Sequence, residues 1–407
     1  MRKQDIINAA FEAWGRDLYK KMSLSDVALQ LGVTKPALYR HFRGKDALLE
    51  AMGSDFFDRY AVFTQSLSSA LSREDENGNL AVIGSALAAY YARGKNDLLF
   101  AFALLLGGKD PEKLFMEELS SRGLSPVLLS FWTPGAAGKR TRFQFAMGSC
   151  FFSVLVFHAL RGTSGQPSEA EIAMAGENAR DLIRRGLGFG AEPLRNLDYV
   201  RLEALARVKT AETGGGDGLL AAVASAVAEA GPWNASMELV AKRSGLSKSG
   251  LYAHFRSREV MMAKLFEVEF DRIAALMENR IARGATGAER VFLAMASAAS
   301  YLTARPDILS ALDWIRVQRI DLGVRMPSRF VALFSFLEEA PGNAFSGFRA
   351  ERLELSSRWI LFHIINFLIH SRVCGADPKA PQPGERLREL HRCVCAGLSE
   401  SEQGVPV

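Results

Sequence analysis

Cysteine is scarce, with four residues in 407. Their spacing suggests no disulfide framework, which fits a chain kept in a reducing compartment. No apolar run reads as a membrane span. The two longest apolar-leaning stretches are residues 143–160 and 359–369. Gly148, Ser149 and His158 break the first, the second is too short to cross a bilayer, and both read as buried helices of a bundle. The opening MRKQDIINAA lacks the apolar core of a signal peptide. A cytoplasmic location with no membrane partner is therefore expected. Catalytic signatures are missing too. The sequence contains no Gly-x-x-x-x-Gly-Lys phosphate loop, no nucleophile elbow and no metal-ligand pattern. Neither enzyme activity nor a cofactor is expected. His370, Cys374, His391, Cys393 and Cys395 do cluster late in the chain. Only His391 and Cys395 stack four apart on one helical face, and a zinc site wants about four converging ligands. The cluster reads as buried core, with no metal.

The chain has 48% hydrophobic and 23% charged residues, as globular proteins do, and is long enough for several domains. Its net charge is +5, and the placement of that charge is informative. Residues 1–48 hold nine Lys/Arg against five Asp/Glu; residues 217–262 hold five against four. The rest of the chain is neutral. Positive charge gathered into two short segments is expected where a protein meets phosphates.

Those two segments are copies of each other. With an offset of 213 residues, Ser23, Val27, Ala28, Gly32, Lys35, Leu38, Tyr39, His41, Phe42 and Arg43 fall on identical residues. Their counterparts run from Ser236 to Arg256 without insertion. A period this long excludes a solenoid and indicates a duplicated whole domain. Each copy reads as three helices. In the first, Ile6, Ile7, Ala10 and Trp14 recur at helical spacing. Ser23 opens a short second helix with Val27, Ala28 and Leu31 inward. Gly32 supplies the turn, as Gly245 does in the second copy. Thr34 is placed to cap the third helix and Pro36 sits in its first turn; Ser247 takes the capping place in the other copy. Leu38 and Phe42, and likewise Leu251 and Phe255, point inward. A short helix, a glycine turn and a second short helix make the helix-turn-helix layout.

The stretches VALQLGVTKPALYRHFRGKDALL and VAKRSGLSKSGLYAHFRSREVMM resemble the DNA-binding signature of the TetR family of bacterial transcription regulators. The specific part is the Leu-Tyr-x-x-Phe core followed by a basic residue. The resemblance implies an all-α fold, with a three-helix head and a larger body in each half. It also implies that bodies pair through their last two long helices. Residues 141–161 and 165–188 resemble that pair in the first half, and 349–373 with 383–398 in the second. The chain thus reads as two such units fused into an intramolecular pseudo-dimer, in which further oligomerisation is not required. The expected partition is a head at 1–48, a body at 49–190, a linker at 191–216, a second head at 217–262 and a second body at 263–400. The linker reads as a helical connector followed by a flexible Gly-rich joint at 213–218.

The groove-facing residues of a recognition helix lie at its N-terminus. In the first copy these are Thr34, Lys35, Pro36, Ala37 and Arg40; in the second, Ser247, Lys248, Ser249 and Gly250, with Ala253. The resemblance implies DNA contacts for Tyr39, His41 and Lys45, and for Tyr252, His254 and Arg258. Lys45 and Arg258 each start the next helix, where free N–H groups also favour an anion. A structural role for His41 beside Phe42 is the competing reading. Because the heads differ, two unlike half-sites about one helical turn apart, ~34–36 Å, are expected. The alternative is an interaction protein on this scaffold, in which one or both heads have lost DNA binding. The resemblance also implies a small apolar effector in the body. Phe100, Phe102, Phe115, Phe131 and Trp132 in one body, and Phe292, Tyr301, Trp314, Phe334 and Phe336 in the other, read as core rather than as named pocket residues. The ligand-binding residues stay unassigned.

Overall fold

The structure is a computed structural model. It describes residues 2–17, 23–72, 75–107, 111–125, 129, 137–162, 165–213, 218–230, 236–318, 326–339, 345, 351–374 and 383–398. The described residues are mostly helical and contain no strand. They form two compact units, Met1–Ala136 with Arg161–Gly176, and Ala137–Leu160 with Glu177–Val407. Each unit contains one copy of the repeated segment.

The first unit begins with α1 (Lys3–Asp17), α2 (Leu24–Leu31) and α3 (Lys35–Tyr39), followed by α4 (Lys45–Ser66), α5 (Glu76–Arg93), α6 (Lys95–Gly107) and α7 (Pro111–Ser121). Ile6, Ile7, Ala10 and Trp14 are all buried, as their spacing requires. They carry α1 onto the body. Phe100 of α6 meets Phe11 and Trp14 with ring centroids at 5.1 and 5.6 Å, and Phe56 of α4 at 5.4 Å. Arg59 on α4 reinforces this joint by pairing with Asp55 at 2.9 Å and with Asp97 of α6 at 3.0 Å. Burial alone would lower its pKa; the Asp97 hydrogen bond and charge more than offset that. Phe115 packs edge-on against Phe57 at 5.1 Å. Phe100 and Phe115 are thus packing residues; the Phe102 side chain, Phe131 and Trp132 lie outside the described residues.

The second unit holds residues 137–160 of α8 (Ala137–Arg161) and the C-terminal part of α9 (Glu169–Arg185). With them are α10 (Tyr199–Ala206), α11 (Gly218–Ala230), α12 (Met237–Ser244), α13 (Lys248–His254), α14 (Arg258–Ile281) and α15 (Gly287–Ala304). α16 (Pro306–Gln318), α17 (Ser328–Ala332), α18 (Arg352–Cys374) and α19 (Pro383–Ala396) complete it. The joint below this head is polar. Glu269 of α14 is 2% exposed, which a carboxylate tolerates only when paired. It accepts from the Tyr301 hydroxyl at 2.6 Å and from Arg272 at 2.8 Å, with Arg305 at 3.7 Å. Burial and the neighbouring Glu269 push the Tyr301 hydroxyl pKa up. Phe292, Tyr301 and Phe334 are core, Phe336 is half-buried, and the Trp314 side chain lies outside the described residues.

Helix α8 is apolar and long enough to cross a membrane by length and composition, but 67% of its most apolar window is buried inside the protein. It packs on α18. Phe145 lies 5.8 Å from Trp359 and stacks on His363 at 5.1 Å; Phe152 lies 5.7 Å from Phe362. Where the two last helices end, Leu187 N–H donates to Val394 at 2.8 Å and Leu398 N–H donates to Ile183 at 2.9 Å. These two bonds are one contact made twice, since 187 and 183 each map onto 398 and 394 by the same shift of 211 residues. Contact i-to-j repeated as j-to-i is the mark of a two-fold interface. Here one chain supplies both sides, so the fold is an intramolecular pseudo-dimer.

The connector between the halves is docked along the second one. Helix α10 places Glu203 in a bidentate pair with Arg388 at 2.7 and 2.9 Å, and the Tyr199 hydroxyl 3.0 Å from His391 Nδ1. Farther on, Arg280 holds Glu212 at 2.9 Å. Helix α10 lies within the stretch 191–216 expected as a linker; residues 214–217 of the Gly-rich joint lie outside the described residues. His391 Nε2 lies 2.9 Å from the Ala288 carbonyl and 3.2 Å from Cys395 Sγ. Among the described residues no group of three or more His, Cys, Asp or Glu is placed to hold a metal. Burial pushes the thiols of Cys150, Cys393 and Cys395 up, away from the reactive thiolate.

Candidate nucleic-acid interface

The two heads are built from matching local rules. Ser23 opens α2 with a capping box: its hydroxyl accepts from Asp26 N–H at 3.3 Å, and Asp26 accepts from the Ser23 N–H at 2.7 Å. Ser236 caps α12 by accepting from Leu239 N–H at 3.2 Å. Gly32 and Gly245 then end these helices at φ of 63° and 70°. A Cβ at either would meet nothing within 4 Å. Backbone hand, not space, is the reason for glycine there. Leu38 and Phe42 anchor the first recognition helix in the core, and Leu251 and Phe255 the second; all four are buried. Leu31, expected on the inner face, is half-buried.

With that side held down, the other side faces out. Thr34, Lys35, Pro36, Tyr39, Arg40 and His41 are exposed, while Ala37 and Lys45 are half-buried. Ser247, Lys248, Ser249, Tyr252, Ala253 and His254 are exposed, with Gly250 and Arg258 half-buried. The tyrosines carry 48% and 44% of their surface, which is unusual for a ring this large and leaves both available to a partner. Within each head the named residues lie in or beside the recognition helix, α3 or α13, except Lys45 and Arg258. Lys45 and Arg258 are the first residues of α4 and α14, as expected. His41 is exposed and so is not a buried structural histidine; the ring over which Lys3 sits, at 5.3 Å, is that of Phe42.

One expectation fails. Thr34 occupies the N-cap position of α3 in extended conformation, but its side chain makes no capping hydrogen bond. Pro at the start of the helix explains the tolerance, because it removes one of the N–H groups a cap would satisfy. Ser247 does cap, accepting from Gly250 N–H at 3.0 Å.

The heads differ in electrostatics, and reading the recognition helices alone missed the reason. Lys248 Nζ lies 2.5 Å from Glu238 Oε1, across the helix-turn-helix angle. The hydrogen bond to Lys248 holds the Glu238 carboxyl below its usual range, and the reciprocal bond raises Lys248. Arg243 also pairs with Glu229. In the first head the position matching Glu238 is Ser25, and Lys35 has no ion-pair partner among the described residues. Comparing positions 25 and 238 in the repeat alignment would have exposed this difference from sequence.

Two exposed, basic, aromatic-edged recognition helices, each braced by a glycine turn and a buried Leu-Phe pair, define a helix-turn-helix DNA-binding protein. The family model described as bacterial regulatory proteins, tetR family, matches twice, at residues 6–52 and 219–265. Each half of the chain thus carries a DNA-binding head that matches the model of that family, and the two heads are a tandem duplication. No curated protein matches it.

Proposed function

We propose that this DNA-binding regulator uses its two heads to read two unlike half-sites on one duplex. The first head would use Thr34, Lys35, Pro36, Ala37, Tyr39, Arg40, His41 and Lys45. The second would use Ser247, Lys248, Ser249, Gly250, Tyr252, His254 and Arg258. The observation that carries this reading is the difference between otherwise matching recognition rims. Lys35 and Arg40 stand where the second head has an ion-paired Lys248 and the small Ala253. Backbone contacts set affinity and register, and the groove-facing side chains set sequence preference.

The chain acts as its own dimer, with no further copy required, and works as a cytoplasmic repressor rather than an enzyme. A small apolar effector in the body shifts the population between body geometries that suit and do not suit the head spacing DNA requires. The polar joint at Glu269, Tyr301 and Arg305, and the aromatic joint at Phe100, are where such a shift would reach the heads. A second reading, in which the second head no longer binds DNA, is favoured by one observation, the pairing of Lys248 and Arg243 with Glu238 and Glu229.

Selection of bound sequences from a random DNA pool tests both. Enrichment of two dissimilar motifs about one turn apart supports the proposal. A palindrome contradicts it, and a single motif supports the second reading.

A further inference from the structure

The connector is fastened along the length of α15. Near its start the Tyr199 ring lies 5.0 Å from Phe292, and Arg201 pairs with Glu289. Farther on, the Val208 N–H donates to Ser300 Oγ at 3.0 Å, and the Thr213 carbonyl accepts from Arg305 at 3.4 Å. These partners run from the first turn of α15 to the residue just past its last. Arg280, near the end of α14, holds the connector from the other side. It donates to the Arg207 carbonyl at 3.0 Å and to both Glu212 oxygens at 2.9 Å, and to the Leu276 carbonyl of its own helix at 2.8 Å. Besides Thr213, Arg305 pairs with Asp307 at 2.9 Å and lies 3.7 Å from the buried Glu269. Five residues after Thr213 the second head begins with α11 at Gly218, and α11 packs on α14 and α16.

We infer that Arg280 and Arg305 are positioning residues of the second head: they lock residues 198–213 against α14 and α15, so that the connector is a splint that sets where the first helix of the head starts. A flexible linker would leave that start free to sample a wide volume. A connector bonded at intervals along a helix removes that freedom before DNA is met, and preorganisation of this kind lowers the cost of binding. Arg280 also ties the chain entering the head, through the connector, to the chain leaving it, through α14. A displacement of either is thus passed to the head. The inference concerns the placement of the second head and stands whether or not that head binds DNA.

Hydrogen exchange read by mass spectrometry tests it on the full chain without DNA. In the parent, the amides of α10 and of Val208 should exchange at least about 100-fold more slowly than in an unfolded peptide. Arg280→Ala removes charge-assisted hydrogen bonds to the connector and should speed exchange about tenfold, both across residues 202–213 and in α11. Arg305→Ala should act in the same direction. Arg280→Lys, which keeps the charge and can reach Glu212, should recover at least half of the Arg280→Ala effect on a logarithmic scale. If the alanine variants do not fold, Glu212→Gln decides. It keeps the shape of a partly exposed side chain and should speed exchange in the same segments about threefold. Connector amides that exchange like an unfolded peptide in the parent would overturn the inference. So would Arg280→Ala or Glu212→Gln leaving α11 at its parent rate, or Arg280→Lys behaving as Arg280→Ala does.

Discussion

Removing the Glu238 carboxylate should make the second head hold DNA more tightly and with greater salt dependence. Lys248 stands at the first position of α13, where a phosphate or base edge would lie, yet its ammonium is bound to Glu238 at 2.5 Å. To contact a phosphate it must release that carboxylate, which then recruits a cation of its own. The counterion freed from DNA is offset by the one captured, so Lys248 contributes little to the net release. Glu238→Gln removes the competitor and keeps the shape. One additional full phosphate contact steepens the plot of log affinity against log salt by about 0.9. Between about 50 and 200 mM salt that is about a 3.5-fold extra loss of affinity. The assay is fluorescence anisotropy on the selected duplex across a series of salt concentrations. Lys35→Ala, which removes a cation without an ion-pair partner in the first head, should flatten the slope by about the same 0.9. Lys248→Ala should do so only when combined with Glu238→Gln. If Glu238→Gln leaves slope and affinity at their parent values, Lys248 is not at the DNA and the account of the second head is wrong.

Other outcomes follow from the same contacts. Ser247→Ala should cost about 1 kcal/mol of stability, whereas Thr34→Ala should be nearly neutral, because only Ser247 makes its cap bond; urea unfolding compares them. Gly32→Ala should cost about 1 kcal/mol through its left-handed backbone alone, since the added methyl has open space; calorimetry checks it. Burial pulls His363 down to about 3 and His391 down to about 4. The unfolded chain protonates both near ~6.5, so between these values it binds more protons than the fold. Stability should therefore fall as pH drops from about 6.5 to 4, by up to ~1.4 kcal/mol per pH unit for each histidine. Urea midpoints across that range should show the slope, and His363→Gln should reduce it.

The heads were largely legible because their signals are local. A serine three residues before the N–H it caps, a glycine at a left-handed turn and a Leu-Phe pair four apart each fix geometry within one or two turns. The last-helix pairs were named only through the family resemblance: residues 141–161 form an apolar stretch, but 383–398 carry five Glu and Arg residues and have no apolar run of their own. What the sequence hid depends on contacts between distant positions. Glu238 and Lys248 lie on different helices and meet only when the turn closes. Glu269 reads as an ordinary helical glutamate until Tyr301, Arg272 and Arg305 converge on it. Gly148 reads as a break in an apolar run, and only the arrival of His363 explains it. Thr34 misled for the opposite reason: its position is right for a cap, but Pro36 leaves less for a cap to satisfy.

The most direct test of one chain acting as a complete pair is to weigh it on DNA. Light scattering of the complex with its selected duplex, with hydroxyl-radical footprinting of the same sample, should give one 44.6 kDa chain per duplex and two separate protected patches. Two chains per duplex, or one chain protecting a single patch, would contradict the account.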